Sequence, residues 1–267
     1  MLGFAETFGA TLGSFLVPSL VGLLIISAAA RYVRPIILAA FTIGLYFWFF
    51  SDTIGDASLI GVSEGFTGGV FHVALWVAFA AGLIFMFASD SSLFAEGSSE
   101  GIGFAIPVLV ALAVGVHGFG EGAAIGGTAA TTPSANILDA FGGFSAAVSF
   151  LLHKGLEPMM VGAAYWIYAK DHARTSRARL ADILVLVLVF SIPGILGSAV
   201  AYYLVQVYPS ADFTYIFAIG LGTSIYAAMR LARPLFQGSL SSAESVKIGV
   251  TILLGFTCLY LAALLHS

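Results

Sequence analysis

Long apolar segments run through most of this 267-residue chain, and short polar or glycine-rich connections separate them. An α-helix needs about 20 predominantly apolar residues to cross the hydrocarbon core of a bilayer. Eight segments are candidates for such helices: Phe8–Ala30, Pro35–Ser51, Gly68–Ala88, Gly101–Gly127, Phe141–Ala169, Leu180–Val207, Phe213–Leu231 and Val246–Leu265. The sequence therefore predicts an all-α polytopic membrane protein of eight transmembrane helices, with residues 1–267 forming a single transmembrane domain.

The composition supports a membrane location and excludes several classes of function. Apolar residues make up 60% of the chain and charged residues 9%, whereas soluble domains carry roughly 25% charged residues. The single cysteine, Cys258, excludes an intrachain disulfide framework and a cysteine-cluster metal site. No basic cluster is large enough to bind nucleic acid, and the lipid bilayer is an expected partner. The N-terminus carries no positively charged region, and we expect no cleaved signal peptide.

The basic residues predict how the chain is oriented in the membrane. Nine of the ten lie in the first, fifth and seventh connections or at the spans beside them: Arg31, Arg34, Lys170, Arg174, Arg177, Arg179, Arg230, Arg233 and Lys247. Because basic residues collect on the cytoplasmic side, these connections are predicted to be cytoplasmic and both termini outside. We expect an integral protein of a prokaryotic cell membrane.

Two histidine–glutamate pairs lie near the middle of the fourth and fifth predicted spans. His117 and Glu121 are four residues apart, as are His153 and Glu157, so each pair shares one helix face. Two antiparallel helices that each offer an imidazole and a carboxylate can give four ligands to one ion. This ligand set suits divalent transition metals, with Zn²⁺ first and Fe²⁺, Mn²⁺ or Cd²⁺ as alternatives. One such pair alone is equally typical of a buried polar contact between helices.

Lys154 is the tenth basic residue and the only one inside a predicted span. A lysine in hydrocarbon is costly, and Lys154 is close enough in sequence to reach the carboxylate of Glu157. An ammonium beside two carboxylates offsets their mutual repulsion, so Lys154 is a candidate internal counter-ion that moves aside or deprotonates when metal enters. The alternative is that Lys154 points away from the pairs and extends towards the membrane surface.

Two further groups of residues suggest how ligands and neighbours approach. Asp52, Asp56, Glu64 and His72 cluster around the outer ends of the second and third predicted spans. An acidic mouth would concentrate cations, although ordinary solvated loop charges are the alternative. Glycines recur every four residues in the fourth predicted span, at Gly118, Gly122 and Gly126, where they allow close helix packing and permit a homodimer.

The motifs "HGFGEG" (117–122) and "HKGLEP" (153–158) resemble the paired signatures of the ZIP (Zrt/Irt-like) metal transporters. The segments "SIPGILGSAV" (191–200) and "IGLGTSIYAAM" (219–229) resemble the sixth and seventh helices of that family. The resemblance implies eight helices in a 3+2+3 arrangement with both termini outside. It also implies import of a divalent metal between the fourth and fifth helices, and the first metal position of the family matches the two pairs: His117, Glu121, His153 and Glu157.

The sequence departs from the family at the positions of a second, adjacent metal. Gly118 stands in place of the asparagine, Lys154 in place of the acidic residue, and the seventh span ends in Arg230 without a carboxylate. These joint losses predict a single-metal site in which Lys154 is a charge substitute at the second metal position.

Together these features predict a transporter that moves a divalent transition metal, with zinc as the first candidate, towards the cytoplasm. One alternative is a membrane sensor that binds metal without transporting it. Another is an intramembrane metal-dependent hydrolase, but the sequence has no His-Glu-x-x-His motif, and we expect no enzymatic activity. The motifs do not fix the metal, the energy source, or whether transport is channel-like or uses alternating access.

Overall fold

The structure is a computed structural model. It describes residues 2–58, 70–94, 104–133, 136–169, 175–209, 213–236 and 240–264, and the side chains at 52–58, 70–72, 91–94, 168–169 and 234 are outside that description. Within it the chain is all-helical and contains no strand. The α-helices are α1 (Phe4–Ala29), α2 (Pro35–Ser58), α3 (Val70–Phe94), α4 (Ala105–Thr131), α5 (Ile137–Ala140), α6 (Phe144–Ala169), α7 (Ser176–Val207), α8 (Thr214–Ala232) and α9 (Ser242–Ala263). A short 3₁₀ helix, Arg233–Phe236, follows α8.

Six helices among the described residues are long and apolar enough to cross a membrane, namely α1, the Val73–Asp90 part of α3, α4, α7, α8 and α9. These helices are those of an integral membrane protein. Helix α2 has a shorter apolar part, Pro35–Ser51. Helix α6 contains His153, Lys154 and Glu157, which lower its mean hydropathy. The count of eight spans and the 3+2+3 arrangement stay predictions.

Each predicted span overlaps one long helix, and several helix ends differ from the predicted bounds by a few residues. Helices α7 and α9 each begin four residues earlier than predicted, because polar N-terminal turns belong to the helices rather than to the connections. The side chain of Thr175 accepts a hydrogen bond from the backbone N–H of Ala178 at 3.3 Å. Ser241 and Glu244 form a capping box at the start of α9. Such side chains satisfy the first N–H groups of a helix, which have no partner within the helix.

The predicted span Phe141–Ala169 overlaps α6, which starts at Phe144, and the separate helix α5 precedes it. The side chain of Asn136 accepts a hydrogen bond from Leu138 N at 3.1 Å and caps α5. Gly142 and Gly143 have φ angles of 86° and 107°, a region that glycine enters without steric cost. The two glycines therefore end the short helix and let the chain turn into α6.

Helix α4 lies at the centre of the bundle and packs most extensively against α7, with further contacts to α8 and α6. The predicted close approach of the glycine face is confirmed for two positions. A Cβ atom at Gly122 would collide with the carbonyl oxygen of Gly194, and one at Gly126 with that of Ser198. Helix α1 packs against α6 and α7, α2 against α9, and α3 against α8. The predicted metal residues on α4 and α6 consequently lie inside the bundle.

Candidate metal site

Helix α4 places His117 and Glu121 one above the other on its inner face. His117 is fully buried, and its Nε2 lies 3.7 Å from Oε1 of Glu121, whose side chain is 14% exposed. Neither ring nitrogen of His117 has a hydrogen-bond partner among the described residues. A buried imidazole normally has a hydrogen-bond partner for at least one nitrogen. The nitrogens of His117 are therefore available to bind a ligand such as a metal ion.

Two aromatic rings from other helices fix the imidazole of His117. Phe49 of α2 contacts it edge-on, with ring centroids 5.0 Å apart and planes at 83°. Phe217 of α8 lies at 5.4 Å and 67°. Gly220, one turn further along α8, packs directly on the backbone of His117, where an added Cβ would be 3.0 Å from its Cα. These contacts depend on how α2 and α8 pack, and the sequence carried no signal for them.

Helix α6 supplies the second carboxylate and holds it with two of its own residues. Glu157 is fully buried, its Oε1 lies 2.8 Å from Nε2 of His153, and its Oε2 accepts a hydrogen bond from Nζ of Lys154 at 2.6 Å. These contacts are the i, i+4 and i, i+3 neighbours that the sequence spacing predicts. Both oxygens of Glu157 are therefore engaged from within α6.

Lys154 links the two helices. Its ammonium group also forms an ion pair with Oε2 of Glu121 on α4, and the side chain has no exposed surface. The rings of Phe15, Phe150 and Phe190 surround Nζ at centroid distances of 5.6, 5.8 and 5.8 Å. Aromatic faces within about 6 Å attract a cation. Lys154 thus lies between the two carboxylates and does not extend towards the membrane surface.

His117, Glu121 and Glu157 together form a candidate metal-binding triad. Each offers one ligand atom, and the three atoms lie within 4.8 Å of one another. In a tetrahedral zinc site with bonds of about 2.1 Å, neighbouring ligand atoms are about 3.4 Å apart. The triad therefore has to contract slightly to hold such an ion. His153 is outside this triad and contacts Oε1 of Glu157. The set of four ligands therefore stays a prediction.

Charge balance explains how so polar a group is tolerated inside the bundle. One ammonium and two carboxylates share the cluster, which keeps its formal charge at −1 when the histidines are neutral. Burial of an unpaired charge is far more costly than burial of a hydrogen-bonded pair. A divalent ion bound to the same carboxylates would neutralise them without Lys154. The ammonium and a metal ion are therefore competitors for Glu121 and Glu157.

The structure also brings a carboxylate to the end of α8 that sequence reasoning missed. Asp90 of α3 forms an ion pair with Arg230 of α8, and Nε of Arg230 donates to the hydroxyl oxygen of Tyr226 at 3.2 Å. The side chains are 11% and 26% exposed for Asp90 and Arg230. Asp90 is far from Arg230 in sequence, so only the packing of α3 on α8 shows the pair.

The predicted acidic entrance falls outside the described part of the chain. Glu64 is not described, and for Asp52, Asp56 and His72 only the backbone is described, within α2 and α3. The entrance thus stays a prediction.

Compared with known proteins, the sequence matches no protein-family model and no curated protein sequence. The resemblance to the ZIP transporters accordingly rests on the two motifs and the helix segments alone.

Proposed function

We propose that this protein is a transporter for divalent transition metals, with zinc as the first candidate substrate. The metal would bind His117, Glu121 and Glu157 between α4 and α6 and move towards the cytoplasm. The observation that carries this proposal is the triad, in which His117 and Glu157 are buried and the three ligand atoms lie within 4.8 Å of one another. Neither nitrogen of its imidazole has a hydrogen-bond partner among the described residues. Imidazole with carboxylates is a ligand set for zinc and its neighbours and not for alkali cations.

The proposed topology has eight membrane-spanning helices, 3+2+3 in arrangement, in a prokaryotic cell membrane with both termini outside. The basic connections support this orientation through the positive-inside rule. The low hydropathy of α6 is compatible with a span, because ionisable residues inside membranes face the bundle interior and mark ion pathways. Lys154 and Glu157, both fully buried, meet this description.

In the proposed mechanism the metal replaces Lys154 as the partner of the two carboxylates. The ammonium would withdraw towards the rings of Phe15, Phe150 and Phe190, which already surround it. His153 would keep Glu157 oriented through its hydrogen bond of 2.8 Å. Transport would then need a rearrangement of one helical unit against another, in which the rings of Phe49 and Phe217 change their contact with His117.

Uptake of radioactive zinc into proteoliposomes tests the proposal. His117→Ala and Glu157→Gln should each abolish uptake above the level of empty liposomes, because each removes a ligand. Glu6→Gln is a matched control, since Glu6 is an exposed carboxylate in the first turn of α1. Uptake that is unchanged in both site variants would contradict the site.

A metal sensor that binds without transporting is the second candidate, and the pairing of Lys154 with both carboxylates favours it. An ammonium fixed in this place would oppose passage of metal while allowing a competing ion to bind. Equilibrium binding of zinc without any flux in the same proteoliposome preparation would identify the sensor. Flux that depends on His117 would identify the transporter.

A further inference from the structure

A separate cavity of about 310 Å³ lies at the connection between α1 and α2, beside the C-terminal part of α6. Its polar lining comes from Arg31, Tyr32, Arg34 and Trp166, and the rest is largely aliphatic. This volume is at the lower end of the range for small-molecule pockets. No residue of the metal triad lines it.

Cationic groups dominate the rim of this cavity. Arg31 is exposed and forms no ion pair with another described residue. Arg34 lies 3.2 Å from Glu244 of α9, but its side chain stays 71% exposed. The guanidinium of Arg179 in α7 stacks over the ring of Trp166 at 5.1 Å. Two guanidinium groups thus line the cavity and a third lies against the ring of Trp166 in its wall, which favours an anion.

Trp166, which lines the cavity, adds an independent observation. The indole Nε1 of Trp166 is buried and has no hydrogen-bond partner among the described residues. Indole is a donor only, and buried tryptophans usually find an acceptor for it. A ligand oxygen that displaces the atoms covering this N–H would supply the acceptor that it lacks.

The surroundings of the cavity match the headgroup level of a bilayer. Tyr32 is 89% exposed beside Arg31, and Leu180 at the start of α7 is 53% exposed. Aromatic residues with a polar tip collect at membrane interfaces, next to the apolar surface of the spans. Basic pockets between membrane helices at this level bind anionic headgroups.

We propose that this cavity binds a phosphate group, with Arg31 and the Nε1–H of Trp166 as its donors and Arg34 at the rim. Guanidinium groups match phosphate oxygens through paired hydrogen bonds, which a simple point charge does not offer. The phosphate can come from the headgroup of an anionic lipid or from free phosphate in solution. The site is independent of the metal triad.

Native mass spectrometry of the delipidated full-length protein in neutral detergent tests the proposal. The probes are dioleoyl phosphatidylglycerol, dioleoyl phosphatidylcholine and inorganic phosphate. We expect binding of phosphatidylglycerol in preference to phosphatidylcholine. Arg31→Ala and Trp166→Phe should each weaken that binding about tenfold. Trp166→Phe keeps a ring for Arg179 to stack on and removes only the N–H group.

Arg177→Ala is the matched control, because Arg177 is an exposed arginine near the start of α7 that does not line the cavity. An equal loss in Arg177→Ala, or unchanged binding in both Arg31→Ala and Trp166→Phe, would overturn the proposal. Binding of inorganic phosphate alone, with the same sensitivity to the two variants, would support the site and assign it to free phosphate. Arg31→Gln provides a second test if Arg31→Ala does not fold.

Discussion

Among the described residues, one system of ion pairs lies at the centre of the bundle and another lies at its end. At the centre, Lys154 of α6 is shared by Glu121 and Glu157, and its side chain is wholly buried. At the end, Arg34 pairs with Glu244 across 3.2 Å, with side chains 71% and 36% exposed. Both systems bring opposite charges together, but water solvates only the second when the pair is broken.

The cost of losing one partner of an ion pair depends on whether water can reach the charge that remains. An exposed pair exchanges one solvated arrangement for another, and such pairs contribute little to stability. A buried charge that loses its partner stays in a low dielectric medium and destabilises the fold strongly. The carboxylates of the central cluster therefore need a cation beside them, and in the proposed mechanism a metal ion takes that place.

Replacing Lys154 with Ala should give the largest effect. Two buried carboxylates then face each other, and we expect the free energy of unfolding to fall by about 3–5 kcal/mol in the presence of a chelator. If a metal takes the place of the ammonium, zinc at about 100 times its Kd should restore about 2.7 kcal/mol. Chemical unfolding in detergent with and without zinc measures both. Lys247→Ala, at an exposed lysine, is the control, and equal stability of the two variants would refute the central role of Lys154.

The two carboxylates of the cluster should differ from each other. Glu157 has no exposed surface and contacts both His153 and Lys154, whereas the side chain of Glu121 is 14% exposed. We expect Glu157→Gln to cost about 3 kcal/mol and Glu121→Gln roughly half as much. The same unfolding assay measures both losses of unfolding free energy. A larger loss for Glu121→Gln than for Glu157→Gln would show that burial does not determine which carboxylate matters more.

The pair of Arg230 and Asp90 provides an intermediate case. Arg230→Ala leaves the mostly buried Asp90 without this partner, and we expect a loss of about 1–2 kcal/mol, between the values for exposed and buried pairs. Arg233→Ala removes an exposed guanidinium from the next turn and should have no effect. Thermal unfolding of the two variants side by side tests this ranking, which fails if they are equally stable.

Arg34→Ala should give the smallest effect, within the error of an unfolding measurement. It removes the exposed pair and leaves Glu244 to complete the capping box of α9. Ser241→Ala removes the cap itself and should cost about 1 kcal/mol, since the first N–H groups of α9 lose an acceptor. A loss for Arg34→Ala that exceeds the loss for Ser241→Ala would contradict the comparison.

The sequence alone predicted the parts of the site that depend on one helix. The spacing of His117 and Glu121, and of His153, Lys154 and Glu157, placed each set on a single face, and the contacts within α6 follow that spacing. The long apolar segments predicted the long helices, because apolar length is a local property. The ends of the helices were less predictable, because a polar first turn of a helix has the same composition as a connecting loop.

The remaining features depend on packing between helices, which no local pattern encodes. The spacing could not show that His117 belongs to the candidate metal triad whereas His153 contacts Oε1 of Glu157 from outside it. The rings of Phe49 and Phe217 reach His117 only because α2 and α8 pack beside α4. The direction of Lys154 was likewise open until α4 placed Glu121 opposite it.

The glycine contacts between α4 and α7 have a mechanical consequence. Gly122 and Gly126 lie so close to the backbone of α7 that neither helix can slide past the other without first separating. We therefore expect α4 and α7 to move as one body and to carry His117 and Glu121 with them. The two helices would then form a single rigid block, so any displacement within the bundle would have to occur between this block and its other neighbours.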